Sequence, residues 1–599
     1  MSVTPSRASA PAAPPGASMA TQPAIEAEDL SMTYAATGRQ GQGVLALSNV
    51  SLAVRSGEFV SLLGPSGCGK STLLRLIGDL LQPSGGRLSV KGKSAARARR
   101  DRDYGIVFQA PALYDWRTVA RNVQLPLELQ GVARAERERR TVDLLRLMNL
   151  GDFAASYPWQ LSGGMQQRVS IARALSFRPS ILLMDEPFGA LDEMTRERLN
   201  TELLTLWAET GTTIIFVTHS IPEAVFLSDR IVVMTPRPGK VERIIPVDTP
   251  APARQRAARG PSLLRAHRRG ARLPARGARP VSGSPALASA PTPAPATLVD
   301  ERPRPAARRG VLSATLLLLR GSAPGLGMGI LILVMWYVAG LWTDAPFARQ
   351  ILGARASTGA VLRASLSLPS PFVPLPHQVL NDFFVALAQP LDSPRGLWVH
   401  MEATGLEAVL GLAAGAALGV AIATLFIYSR LMESAFLPYV VASQTVPILA
   451  LAPVIVSILG ITLTAKVVVS AYLAFFAVAI STIKGFKSAE PLAHELMRSY
   501  AASRWQVYRK LLFPVALPYL FAGLKIAATA SLVGAIISEL FGSTTGLGAR
   551  LLEATTYNET IAWWSTILAG SALGFVLFGA ISLAQRLVVK ARPASAREG

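Results

Sequence analysis

The stretch FVSLLGPSGCGKSTLLRLIGDLL (59–81) passes from continuous apolar residues through a glycine-rich turn into helically spaced leucines. That order predicts a buried strand, a phosphate-binding loop over Gly64, Pro65, Ser66, Gly67, Cys68 and Gly69, and a helix opening at Lys70-Ser71-Thr72. Glycines let backbone N–H groups wrap an anion, and a helix N-terminus faces it with its positive end. Lys70 would reach the β- and γ-phosphates of ATP, and Ser71 would ligate Mg²⁺.

Working outward, ILLMDEP (181–187) and TIIFVTHS (213–220) are further apolar runs that end in polar residues. Strands apolar on both faces predict a mostly parallel sheet covered by helices, with another strand pattern over 48–63 and helical spacing over 118–157. Asp185 ends its strand where a carboxylate can hold Mg²⁺, and Glu186 follows it, placed to polarise an attacking water. LSGGMQQR (161–168) is a second glycine-bearing turn at a helix start, almost a hundred residues from the first. One phosphate does not need two such sites.

With these motifs in order, residues 28–245 resemble the ATP-binding cassette family, an α/β P-loop NTPase fold. The resemblance implies that Tyr34 in LSMTY stacks on adenine. It implies that Gln109 in VFQAP senses the metal and the catalytic water, that Ala190-Leu191-Asp192 forms the loop after the catalytic acid, and that His219 is the switch histidine. It also resolves the duplicated glycine turn. In this family two cassettes pack head to tail, so Ser162, Gly163 and Gly164 would bind the γ-phosphate held by a second copy of the chain. Cys68, the single cysteine, lies beside Lys70 and is expected to present a reactive thiol to the nucleotide, which excludes a disulfide framework.

The 599 residues are half hydrophobic, and the apolar content is uneven. The expected domains are a disordered, Pro- and Ala-rich 1–24 without a signal-peptide core, a soluble ATP-binding domain at 25–250, a linker at 251–318, an all-α transmembrane permease domain at 319–590, and a cytosolic tail at 591–599. The net charge of +22 is concentrated in residues 251–310, which hold thirteen Arg against one Asp and one Glu and no aromatic residue. That composition argues against nucleic-acid binding and for proximity to anionic lipid. The abrupt change there is open to two explanations, a true linker or a displaced reading frame.

Six spans of bilayer length are expected near 325–342, 403–426, 436–460, 466–484, 519–541 and 561–587. ATP chemistry and the Lys/Arg cluster of 498–510 place the ATPase domain, linker and C-terminus in the cytosol of a multi-pass inner-membrane protein. Glu407, Lys525 and Glu539 are expected near span ends, within snorkelling reach. Ser443, Gln444 and Thr445 are the candidates for lining a path. KSAEPLAHELMRSYAASRWQVYRKLLFPVALP (487–518) is too polar to span. It resembles the cytosolic coupling loop of binding-protein-dependent importers, a MetI-like permease class, with Leu496 and Met497 in place of two alanines. Ala501 stands where the family has Gly, which predicts a straighter turn.

Together the resemblances imply an ATP-driven importer subunit working as a homodimer with a separate extracytoplasmic solute-binding protein. FQAPALYDWRTVARNV (108–123) is similar to cassettes of nitrate, taurine and alkanesulfonate importers. Importers of thiamine-related pyrimidine precursors remain an alternative. An exporter or a signalling ATPase fits the motif order less well.

Overall fold

The computed structural model describes residues 23–35, 43–189, 191–247, 311–353, 356–391, 393 and 396–589. The expectations for the N-terminus before Pro23, for the Arg-rich stretch to 310 and for the tail from 590 lie outside those residues. A helix begins at Val311, inside the stretch expected to be linker. The chain divides into two compact units, one of 1–262 with 483–520 and 585–599, the other of 263–482 with 521–584. Residues 483–520 therefore group with the N-terminal domain and not with the apolar helices that flank them in sequence.

The first unit holds two sheets. Strands β1 (Ile25–Tyr34), β2 (Val44–Val54), β4 (Gly85–Val90) and β5 (Lys93–Ser94) form an antiparallel sheet in the order β2-β1-β4-β5. Strands β3 (Phe59–Leu63), β6 (Tyr104–Val107), β7 (Ile181–Asp185), β8 (Thr213–Thr218), β9 (Arg230–Met234) and β10 (Val241–Pro246) form the larger sheet, ordered β10-β9-β3-β8-β7-β6. Only β10 runs antiparallel in it. Every residue of β6, β7 and β8 is buried, as the continuous apolar runs require of a strand covered on both faces. The antiparallel sheet is a correction to the sequence reading. Its strand β1 carries Glu26, Glu28 and Asp29 on an exposed face, so it lacks a continuous apolar signal, and residues 48–63 contribute one strand to each sheet.

Around these sheets lie α1 (Lys70–Ile77), α2 (Ala95–Asp101), α3 (Val119–Leu129), α4 (Arg134–Leu147), α5 (Gly163–Leu175), α6 (Glu193–Thr210) and α7 (Ile221–Leu227). Side-chain caps fix five of their starts: Ser94 accepts from Arg97 N, Thr118 from Arg121 N, Ser162 from Met165 N, Asp192 from Thr195 N and Ser220 from Glu223 N.

The apolar half comprises α8 (Val311–Leu352), α9 (Thr358–Ser365), α10 (Pro376–Leu387), α11 (Leu397–Tyr428), α12 (Arg430–Ser443), α13 (Ile448–Leu459), α14 (Leu463–Lys487), α15 (Pro491–Ser499), α16 (Phe513–Glu539), α17 (Leu547–Thr556) and α18 (Thr560–Val588). Among the described residues, five stretches are long and apolar enough to cross a membrane, 327–352, 397–428, 463–487, 504–539 and 560–588, and six if the bent pair over 430–459 is one span. The span expected over 436–460 is not continuous. It is broken into α12 and α13, bent by 100° across Gln444–Pro447. Pro447 lacks the N–H a continuous helix needs, and Ser443, Gln444 and Thr445 sit at the break. Helix α11 packs on α14 through Gly411, Gly415 and Gly419. A Cβ on Gly411 would lie 2.2 Å from the Ser470 Cβ, so the small residues set how closely the helices approach.

Candidate nucleotide site and coupling interface

Strand β3 delivers the loop 64–69 to the N-terminus of α1, with Gly67 and Gly69 in the left-handed region at φ 76° and 104°. At Gly69 a Cβ would also meet Leu47 Cδ2 at 2.5 Å, so only glycine fits. Lys70 is 4% exposed, and its Nζ donates to the carbonyls of Gly64 (2.7 Å) and Pro65 (3.0 Å) along the loop. Ser71 Oγ donates to Asp185 Oδ1 at 2.7 Å, which brings a hydroxyl and a carboxylate from α1 and β7 to one point. Tyr34 Oη lies 3.1 Å from Thr72 Oγ1, so the aromatic ring borders the same loop.

Glu186 follows β7 with φ 43°, a left-handed conformation unusual for a glutamate, of the kind that costs about 1–3 kcal/mol and concentrates at functional sites. Its Oε2 accepts from Gln109 Nε2 at 3.3 Å and lies 3.8 Å from His219 Nδ1. Three motifs separated by 110 residues of sequence thus converge on one carboxylate. Burial pushes the Asp185 carboxyl above its usual range, against the Ser71 hydrogen bond. Burial does the same to Glu223, which accepts from Thr218 beneath His219. A divalent cation beside Asp185 would reverse the first effect by favouring the ionised form.

The residues fit Mg²⁺ and a nucleoside triphosphate. Hard oxygen donors at Ser71 and Asp185 suit Mg²⁺, which takes much of its shell from phosphate and water. Among the described residues no cluster of three or more His, Cys, Asp or Glu is placed to hold a metal ion.

Cys68 departs from expectation. Its side chain is 1% exposed and belongs to the core under the loop, with Sγ 3.8 Å from Lys70 Nζ. The thiol is buried, not presented at the surface of the loop as expected. The signature residues Ser162 and Gly163 are exposed, at the N-terminus of α5. Among the described residues no hydrogen bond joins them or Gly164 to residues 64–72.

The coupling segment docks into the core of the same unit. Ala493, Leu496, Met497, Tyr500 and Leu511 are buried with Leu76, Ile77, Tyr104 and Tyr114 in one cluster. Arg75, one turn along α1 from Ser71, pairs with Glu495 (Nε to Oε2, 3.3 Å). Tyr114 Oη donates to Ala493 O (3.5 Å), Arg102 Nε to Tyr500 O (3.3 Å) and Gln506 Nε2 to Leu129 O (3.0 Å). Arg173, on the signature helix α5, donates to the carbonyls of Ala112 (2.6 Å) and Pro111 (2.8 Å), just after Gln109. The sequence reading did not single out Arg75, Arg173 or Tyr500. An arginine between leucines on an amphipathic helix carries no signal of a partner 420 residues away. The turn is not straighter. Ala501 adopts φ 51° and makes the left-handed turn without glycine.

In the second unit Glu407 and Glu539 are 3% and 0% exposed, contrary to the snorkelling expectation. Lys466, which the sequence reading passed over, donates to Glu407 Oε1 at 2.6 Å and to Ser543 Oγ at 2.9 Å. Glu539 accepts from Thr404 Oγ1 at 2.7 Å and from Gly548 N at 2.6 Å, capping the start of α17. A Cβ on Gly546 would fall 2.2 Å from the Glu539 carboxyl carbon. Lys525 is half-buried, its Nζ 5.4 Å from the centre of the Phe578 ring.

Comparison with known proteins agrees with this layout. The ABC transporter family model matches residues 47–189, and that of the binding-protein-dependent transport system inner membrane component matches 415–592. An uncharacterized ABC transporter ATP-binding protein, MJ0412 of Methanocaldococcus jannaschii, is 49% identical over 212 residues, covering 35% of this chain and 79% of the relative. The taurine import ATP-binding protein TauB of Rhizobium johnstonii is 48% identical over 217 residues, 36% of this chain and 81% of the relative. Among solved structures, the dimeric post-hydrolysis state of the cassette MJ0796 bound to ADP and Pi is 37% identical, with a TM-score of 0.35, covering 38% of this chain and 99% of that one. The chain belongs to the ABC transporter family. It is an importer-type ABC ATPase domain fused in one polypeptide to a permease domain, and its ATP hydrolysis is coupled to transport.

Proposed function

We propose that two copies of this chain form an inner-membrane importer that takes a small anionic solute, of the taurine, alkanesulfonate or nitrate kind, from an extracytoplasmic binding protein. The observation that carries the coupling is the docked segment 487–518: one end of α1 holds Lys70 and Ser71, and its last turn holds Arg75 against Glu495. The substrate class is supported by the likeness to taurine import cassettes. The exposed signature turn at the start of α5 supports ATP sites completed by a second copy, since a free helix N-terminus suits a phosphate.

The roles follow from position. Lys70 and the loop amides of Gly64–Gly69 hold the β- and γ-phosphates, and Tyr34 stacks on the base. Ser71, Asp185 and Gln109 would hold Mg²⁺, which would supply positive charge to offset that of the phosphates. Glu186 orients the attacking water and accepts its proton, with His219 and Gln109 holding the carboxylate in place. Asp192, as the cap of α6, fixes the loop that meets the partner copy. Ser162, Gly163 and Gly164 of the partner copy donate to the γ-phosphate and thereby make hydrolysis depend on closure. In the apolar half, the unwound Gln444–Pro447 break fits a transport path. Non-helical backbone at membrane depth is tolerated where it is buried or lines a watery cavity.

The test is uptake by proteoliposomes loaded with ATP and supplied with a candidate solute-binding protein from the same genome. Radiolabelled taurine should accumulate only with ATP inside, and unlabelled alkanesulfonate should compete. Accumulation of a neutral or cationic solute, with taurine ignored, would remove the anionic-substrate reading.

A further inference from the structure

A cleft of about 500 Å³ opens in the first unit between α3, α4 and the end of the coupling segment. Six cations line it: Arg117, Arg121, Arg134, Arg137, Arg509 and Lys510. Two carboxylates, Glu128 and Glu138, answer them. Glu128 binds both Arg117 and Lys510, and Glu138 pairs with Arg134 at 2.8 Å. Among the described residues, Arg121, Arg137 and Arg509 have no carboxylate within ion-pair distance, and the Arg137 Nε is buried with no hydrogen-bond partner. Six positive against two negative groups leaves four positive charges facing one concavity.

Its position says what would fill it. Pro514 lines the cleft from the first turn of α16, and Arg509 and Lys510 immediately precede that helix. The cleft thus lies at the start of a stretch, 504–539, long and apolar enough to cross a membrane. Trp116 forms one wall, and Trp505, 63% exposed, stacks on Tyr508 one turn before Arg509 (centroids 5.5 Å). Indole rings favour the headgroup level of a bilayer. Guanidinium forks grip phosphate oxygens in bidentate fashion, and anionic leaflets draw juxtamembrane arginines.

We propose that this cleft is a binding site for the phosphate headgroup of an anionic phospholipid of the cytoplasmic leaflet. The site bridges α3 and α4 of the ATPase domain to the coupling segment, so an occupied cleft braces the docked segment against the domain. The assignment of the leaflet rests on the proposed cytosolic placement of the ATPase domain. The headgroup chemistry does not.

The experiment uses the full chain purified in detergent and offered equal amounts of dioleoyl phosphatidylglycerol and dioleoyl phosphatidylcholine. Retained lipid is counted by native mass spectrometry, and a photoactivatable phosphatidylglycerol maps contacts. The expected result is at least tenfold preference for phosphatidylglycerol, with cross-links in peptides covering 116–138 and 505–514. The triple variant Arg121→Gln/Arg137→Gln/Arg509→Gln should lose that preference and still bind ATP. A control triple at Arg87, Arg198 and Arg243 should keep it. Equal retention of the two lipids, or cross-links confined to other segments, overturns the proposal whether or not the triple variant folds. So does displacement by millimolar inorganic phosphate as effective as that by phosphatidylglycerol, which would make the cleft a soluble-anion site. These readouts need no transport. Failure of ATP-driven uptake with lipid preference intact would count against the importer reading alone.

Discussion

Glu186 is the proposed catalytic base: Gln109 and His219 both address its carboxylate, and its backbone is held in a strained left-handed turn. Glu186→Gln removes the proton acceptor and keeps the shape. Hydrolysis should fall by roughly 10²- to 10⁴-fold, the usual worth of a general base, with ATP affinity within a factor of about three. Stopped-flow binding of a fluorescent ATP analogue and steady-state phosphate release check the two halves separately. The motif residues were legible because phosphate chemistry restricts residue type and spacing together. The Cys68 orientation was not, since the loop alternates between core and surface within one residue. Nor was Lys466. Lys466→Met should leave Glu407 buried and unpaired at a cost of about 3–5 kcal/mol, lowering the melting temperature in detergent. Glu407→Gln/Lys466→Met should recover most of the loss, and a double variant no better than the single would show that the pair is not the source.

At the scale of an element, the coupling segment joins two helical pieces through a left-handed Ala501, a wide π-turn over Tyr508–Leu512 and the capped start at Ser503. An alanine in the left-handed region costs about 1 kcal/mol relative to glycine. Ala501→Gly should therefore stabilise the docked segment by up to about that amount, seen as slower amide exchange over 491–507. Faster exchange would mean that the alanine methyl matters more than the backbone. Glu128 fastens the far end. Burial raises its pKa, but Arg117 and Lys510 outweigh burial and hold the carboxyl below its ordinary 4.5. A depressed folded-state value means that the stabilisation is fully present above the unfolded pKa and is lost as pH falls through the folded one. The stability advantage of wild type over Glu128→Gln should be flat from pH 7 to 5.5 and should shrink only below 4.5. A gap that closes towards alkaline pH would contradict the ion-pair assignment. The sequence showed that this element is helical. Its burial was illegible, because Leu496 and Met497 find their partners among residues 76–114.

For the whole molecule, the parallel sheet, the ATP loop and the apolar half were readable from runs of residue type, because burial on both faces and bilayer crossing each impose a continuous pattern. The antiparallel sheet and the broken α12–α13 pair were not, since half-exposed strands and a proline-marked bend look locally like loop and helix. Coupling requires that nucleotide at Lys70–Ser71 be felt by residues 491–512 of the same chain through α1 and Arg75. Hydrogen–deuterium exchange on the full-length Glu186→Gln protein in nanodiscs, with and without saturating Mg-ATP, tests it most directly. Protection at 64–72 reports binding. A concurrent change of at least twofold in exchange rate over 491–512 is the predicted result. Protection at 64–72 with 491–512 unchanged would contradict it.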